Sequence, residues 1–112
     1  MDSLIKRSKN IMVVSMKGDI DLVNAEKLRL EVDKQLEKKQ FHHLIINLEK
    51  VEFIDSSGLG AILGRYKKIS ATGGKIALIN PQPQVMRILE LSGFTRIMPI
   101  YQSEDQALRE MA

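Results

Sequence analysis

Cysteine and tryptophan are absent from this 112-residue chain, and aromatic side chains make up only 4% of it. Without cysteine there is neither a disulfide framework nor a thiolate metal site. Imidazoles are almost as scarce. His42 and His43 are the only two, and neighbours on a strand point to opposite faces, so two partly exposed strand-end histidines are expected rather than a metal ligand pair. A strong excess of one charge is missing too: 17 Lys and Arg face 14 Asp and Glu, leaving +3 spread along the chain. With no basic stripe and few aromatics, nucleic-acid binding is not expected. No apolar run approaches the roughly 18 residues of a membrane span. The opening MDSLIKRSKN lacks the apolar core of a signal peptide. A soluble cytoplasmic protein without a membrane partner is the expectation, and at this length residues 1–112 form a single domain around one core.

What is present is alternation. A short SLIKR segment, a polar SKN turn and IMVVSMKG read as an N-terminal hairpin closed by Gly18. A helical period follows, with Ala25, Leu28, Val32 and Leu36 on one stripe and Asn24 as its expected cap. HHLIINL is an apolar, β-branched run of the kind buried on both faces. A second helix is expected from about Ser56 to Ile69, ended by ATGG, before the buried strand KIALIN. Pro83 suits the first turn of a third helix and Gly93 its exit. IMPIY gives a last strand, placed at an edge by Pro99. Ser103 and Gln106 have capping-box spacing at the start of a final helix. The class implied is α/β: a mixed sheet of about five strands, its later members parallel, with about four helices.

The unusual chemistry sits at one strand-to-helix junction, FIDSSGLG, residues 53–60. Ser56 and Ser57 are candidate nucleophiles, but neither stands in a G-x-S-x-G elbow. The histidines begin the preceding strand, roughly 20 Å away for a strand of about seven residues. Gly58, Gly60 and Gly64 are spaced one residue too long for a dinucleotide fingerprint, and Asn80 stands where its acid would be. No Walker-type loop is present. On a helical wheel Leu59, Ile62, Leu63, Tyr66 and Ile69 form the inward stripe, leaving Ser57, Gly60, Ala61, Gly64 and Lys68 on a nearly bald opposite side. An exposed helical glycine costs about 1 kcal/mol relative to alanine. Two on one face imply close approach, either by another part of this chain or by a partner. Ser57 also lies in the first turn, where free N–H groups favour an anion. A phosphate there would set about −1.5 to −2 charge in the middle of a docking face. Asp55 caps the helix, orients the serine hydroxyl, or does both.

VEFIDSSGLGAILGRYKKI, with GDID before it and GGKIALINP and RILELSGFTRIMPIY after it, resembles the signature of the anti-sigma factor antagonists, the STAS-domain proteins of bacterial partner-switching systems. The resemblance runs over essentially the whole chain, and DSSGLGAILGRYK favours the sporulation branch, which acts on sigma F. It implies a STAS fold and a protein that is no enzyme and carries no cofactor. The unphosphorylated form would bind an anti-sigma factor serine kinase, which supplies its own ATP, and so release the sigma factor. Phosphorylation would fall on Ser57 and be reversed by a PP2C-type phosphatase. Asp21 matches a family aspartate near the same surface; it is a partner contact on that reading and a turn or helix-start residue on the other. The expected binding face therefore comprises Asp21, Asp55, Ser56, Ser57, Gly58, Gly60, Ala61 and Gly64. Other readings are a general-stress sigma antagonist, a STAS regulatory subunit of a transporter or lipid-export complex, and an independent nucleotide-binding domain.

Overall fold

A computed structural model describes residues 3–38 and 40–111. The elements follow in the order β1 (Ser3–Ser8), β2 (Ile11–Ile20), α1 (Leu22–Glu37), β3 (His43–Ile54), α2 (Ser56–Ala71), β4 (Ile76–Ile79), α3 (Pro83–Leu91), a 3-10 turn (Phe94–Arg96), β5 (Ile100–Tyr101) and α4 (Glu104–Met111). The five strands lie in chain order in one sheet; β1 is antiparallel to β2, and every later pair is parallel. The α/β class, the mixed five-stranded sheet and the four α-helices match the sequence expectation.

Strand alternation divides the core into two layers. Met12, Val14, Leu44, Ile46 and Leu78 face α1, α2 and α3, meeting Leu28, Val32, Ile62, Ile69, Val85 and Leu89. Val13, Ile45, Ala77 and Ile79 face the other way onto Ala107 and Met111 of α4. Leu44 to Leu48 are all buried, so both faces of β3 are covered there. The cap of α4 is also as expected at Ser103, whose hydroxyl accepts from Gln106 N–H at 3.1 Å. The reciprocal bond runs from Gln102 N–H to Gln106 Oε1 at 3.0 Å, one residue earlier than a capping box places it.

Several boundaries differ from expectation for identifiable reasons. β3 continues to Ile54 because Lys50, Val51, Phe53 and Ile54 pair with Lys17, Gly18, Asp19 and Ile20. Gly18 therefore does not close β2. Its φ of 87° lies inside the strand, beside one of two register shifts that let the paired strands bend past each other. Asn24 does not cap α1; Asp21 does, and Asn24 is buried with its amide donating to Asp19 C=O at 2.7 Å. IMPIY yields only a two-residue strand, since a 3-10 turn follows Gly93 (φ 79°).

Candidate functional site

Because β2 and β3 are parallel and end on partnered residues, Ile20 and Ile54, two helices begin side by side at the carboxyl edge of the sheet. Each strand passes directly into an aspartate with extended backbone, Asp21 (φ −94°) and Asp55 (φ −100°). Their carboxylates accept from the N–H groups three residues on, Asn24 and Gly58, both at 3.0 Å. This is the N-cap geometry that satisfies otherwise unpaired first-turn donors. The Asp55 N–H in turn donates to Ile20 C=O at 3.3 Å, which ties one helix start to the strand end beside it.

Gly58 is buried, and its hydrogen is what allows α2 to descend so far onto the sheet. A Cβ there would lie 2.6 Å from Ile20 O and 2.7 Å from Ile54 Cγ1. Of the expected binding face, Gly58 is thus the member placed beneath the surface. The buried line of α2 is Gly58, Ile62, Arg65 and Ile69. Relative to the expected stripe it is turned by about 70°, leaving Leu59, Leu63 and Tyr66 only half-buried. The rotation arises because α1 packs along one flank of α2, where Ser57, Ala61 and Arg65 face it. Gly60 and Gly64 remain open, with no atom within 4 Å of an added Cβ. Close packing by this chain therefore accounts for one side of the bald surface and not for the glycines. Ser56 is the more exposed serine; Ser57 is half-buried on the flank towards α1.

Between the helices runs a groove of about 280 Å³, with Leu22, Ala25, Glu26 and Arg29 on one wall and Ser57, Gly60, Ala61 and Arg65 on the other. Leu22, at its rim, is 70% exposed, and Val23, next to it in the chain, is 62% exposed. Sequence reasoning did not single out this apolar pair. The signal was available, since both residues follow the Asp21 cap and fall off the Ala25, Leu28, Val32 and Leu36 stripe.

Arg65 ties the groove to a charged cluster with Asp33 and Lys68, which line a separate cleft. Arg65 is buried, and its Nε stands 3.0 Å from Asp33 Oδ1, an ion contact whose angle falls outside hydrogen-bond geometry. Lys68 Nζ donates to Asp33 Oδ2 at 2.9 Å, and Arg29 Nη1 approaches the same oxygen at 4.0 Å. Arg29 also grips Glu26 with both Nε and Nη2. Burial lowers the Arg65 pKa and Asp33 opposes that shift. The hydrogen bond from Arg29 holds the Glu26 carboxyl below its ordinary value.

The histidines lie at the other end of the molecule. His43 opens β3 and its Nδ1 accepts from Lys75 N–H at 2.9 Å, while the serines follow the end of this 12-residue strand. The strand is 12 residues long where about seven were expected, so the separation is greater, and no serine–histidine pair forms among the described residues. The two rings are not thrown to opposite faces; His42 precedes the strand and its ring centroid is 4.6 Å from that of His43. A wider cleft of about 700 Å³ lies at this end, lined by Asn10, Phe41, His42 and Thr72 among others, and does not reach Ser57. Among the described residues no helix is long and apolar enough to cross a membrane.

Comparison with known proteins fits this geometry. The family model for the STAS domain matches residues 3–107. An anti-sigma F factor antagonist of Paenibacillus polymyxa is 37% identical over 107 residues, 96% of this chain and 92% of that protein. The fold superposes on the crystal structure of a Thermotoga maritima protein assigned as an anti-sigma factor antagonist with a TM-score of 0.91, at 30% identity over 97% of this chain and 93% of that one. It also superposes on the Bacillus cell fate determinant SpoIIAA in its phosphorylated form, with a TM-score of 0.82 at 25% identity over 99% and 100% of the two chains.

Proposed function

The chain belongs to the STAS-domain family and, within it, to the anti-sigma factor antagonists; from that premise we propose that it is the phosphorylation-switched member of a cytoplasmic partner-switching system. In its unphosphorylated form it binds an anti-sigma factor serine kinase and thereby releases a sigma factor, sigma F by likeness to the Paenibacillus relative. It has no catalytic role of its own: the kinase brings the nucleotide, and a PP2C-type phosphatase resets the switch. Ser57 is the residue modified.

The observation that carries this reading is the paired helix start. Asp21 and Asp55 present two first turns at one edge of the sheet, with exposed Leu22 and Val23 on one side, open Gly60 and Gly64 on the other, and Ser57 between them. A partner backbone can come close over the glycines and cover the apolar pair. A phosphate at Ser57 would place about −1.5 to −2 charge in that contact, and the partner would have to desolvate it. That a phosphorylated form of SpoIIAA exists supports the placement of a switch in this fold.

Incubation with its cognate anti-sigma kinase and ATP, followed by mass spectrometric mapping, tests the assignment. Phosphate on Ser57 alone is expected; modification elsewhere, Ser56 included, overturns it. Ser57→Ala retains kinase binding and cannot be switched off, whereas Ser57→Asp binds weakly. Release of a general-stress sigma factor in place of sigma F would reassign the pathway and leave the mechanism intact.

A further inference from the structure

We propose that the α1–α2 groove is an internal phosphate site: the phosphate on Ser57 turns into it and is held by Arg29 and Arg65. This rests on the reading of Ser57 as the modified residue and adds where the phosphate goes.

Two observations point there independently of the helix start. Arg65 has a side chain only 5% exposed, yet its Nη1 has no hydrogen-bond partner among the described residues. A buried guanidinium nitrogen left unpaired is costly unless something completes it. Arg65 also lines the same groove as Ser57, one turn beyond Ala61, which is itself one turn beyond Ser57. Helical side chains lean back towards the N-terminus and an arginine spans more than one turn, so Arg29 extends towards the serine end, while Arg65, anchored by its Nε on Asp33, closes the far end of the groove. The grip of Arg29 on Glu26, three residues earlier, is an instance of that lean.

Charge favours the same outcome. Arg29, Arg65 and Lys68 face Glu26 and Asp33, so the cluster carries one net positive charge before modification. A phosphate dianion carries nearly twice the charge of the Glu26 carboxylate and offers more acceptor oxygens. It would take Arg29 from Glu26 and supply the partner that Arg65 Nη1 lacks, while the first-turn N–H groups of α2 add their dipole. Asp33 would stay with Arg65 Nε and Lys68. The modification then fills the groove as well as charging its rim.

The test uses full-length protein with phosphoserine installed at position 57 during translation, so that it does not depend on any kinase. Titration by phosphorus NMR reads the second pKa of that group, about 6 when free. A cation within a few ångströms lowers it, and a fall of about half a unit or more is expected in the phosphoprotein relative to the same protein in denaturant. Arg29→Gln raises the value back towards the free one, and Glu26→Gln, which frees Arg29, lowers it further. Both substitutions are on exposed side chains and leave the fold intact. Arg65→Lys keeps a charge but loses the fork, and the value rises. A phosphoserine pKa that is unperturbed, or indifferent to Arg29→Gln and Glu26→Gln, overturns the proposal. Absence of kinase modification at Ser57 would instead overturn the functional reading on which it rests.

Discussion

Asp21 and Asp55 are neighbours in space because Ile20 and Ile54 are partners in the β2–β3 register, and each aspartate caps the helix that follows it. Capping and partner contact are separable in such a pair. Asparagine caps about as well as aspartate, while alanine loses the cap at about 1 kcal/mol. Asp21→Asn and Asp55→Asn are expected to keep the urea midpoint of the wild type, and the two alanine variants to lower it. If Asp21 is also read by the partner, Asp21→Asn weakens kinase binding without loss of stability; equal affinity would leave Asp21 with the cap alone.

The glycines of α2 divide into two kinds. Gly58→Ala forces a Cβ against Ile20 O and Ile54 Cγ1 and is expected to cost about 1–3 kcal/mol by overpacking. Gly60→Ala and Gly64→Ala meet nothing within 4 Å and are expected to stabilise by about 0.5–1 kcal/mol through helix propensity. The same two changes are expected to weaken kinase binding, because a methyl group stands where the partner approaches. Denaturation read beside binding calorimetry would show the gain and the loss in one protein; tighter or unchanged binding would remove Gly60 and Gly64 from the interface.

Much of this was legible in the sequence. The alternation of apolar runs and helical periods located the strands and helices, and the Asp-Ser-Ser-Gly-Leu-Gly stretch marked the junction. Other features depended on long-range pairing. The second half of β3, EKVEFI, carries no strand pattern of its own and is extended because β2 pairs with it. The buried side of α2 differs from the expected stripe because a stripe drawn through the apolar residues leaves out Gly58 and Arg65. Only the close descent onto Ile20 and the acid at Asp33, 32 residues earlier, make those positions interior. Asn24 has the place of a cap because it precedes the apolar stripe, whereas the helix begins two residues earlier with Leu22 and Val23, which are exposed.

The ion pair between Asp33 and Arg65 joins α1 to α2 and carries a stability prediction. Asp33→Ala leaves the buried guanidinium without its counter-charge and is expected to cost about 3 kcal/mol. Replacing both partners by apolar residues of similar volume, Asp33→Leu with Arg65→Met, is expected to be close to neutral, since neither charge then remains buried. A double-mutant cycle in urea measures the coupling. A double-variant loss equal to the sum of the two single losses would mean that the residues do not interact.

His43 gives the protein a pH dependence of definite sign. Burial, followed by the charges of His42 and Lys75, lowers its pKa in the folded state, and its Nδ1 must be unprotonated to accept from Lys75 N–H. The unfolded chain, with an ordinary histidine value near about 6.5, therefore binds more protons than the folded one between the folded pKa and that value. Stability is full above about pH 6.5 and falls as the pH drops through that window, levelling once folded His43 is itself protonated. Urea midpoints measured between pH 7.5 and 5 should decline, and His43→Gln, which cannot be protonated, should flatten that part of the curve. The same decline in wild type and variant would assign it to other groups and leave His43 without a linked proton.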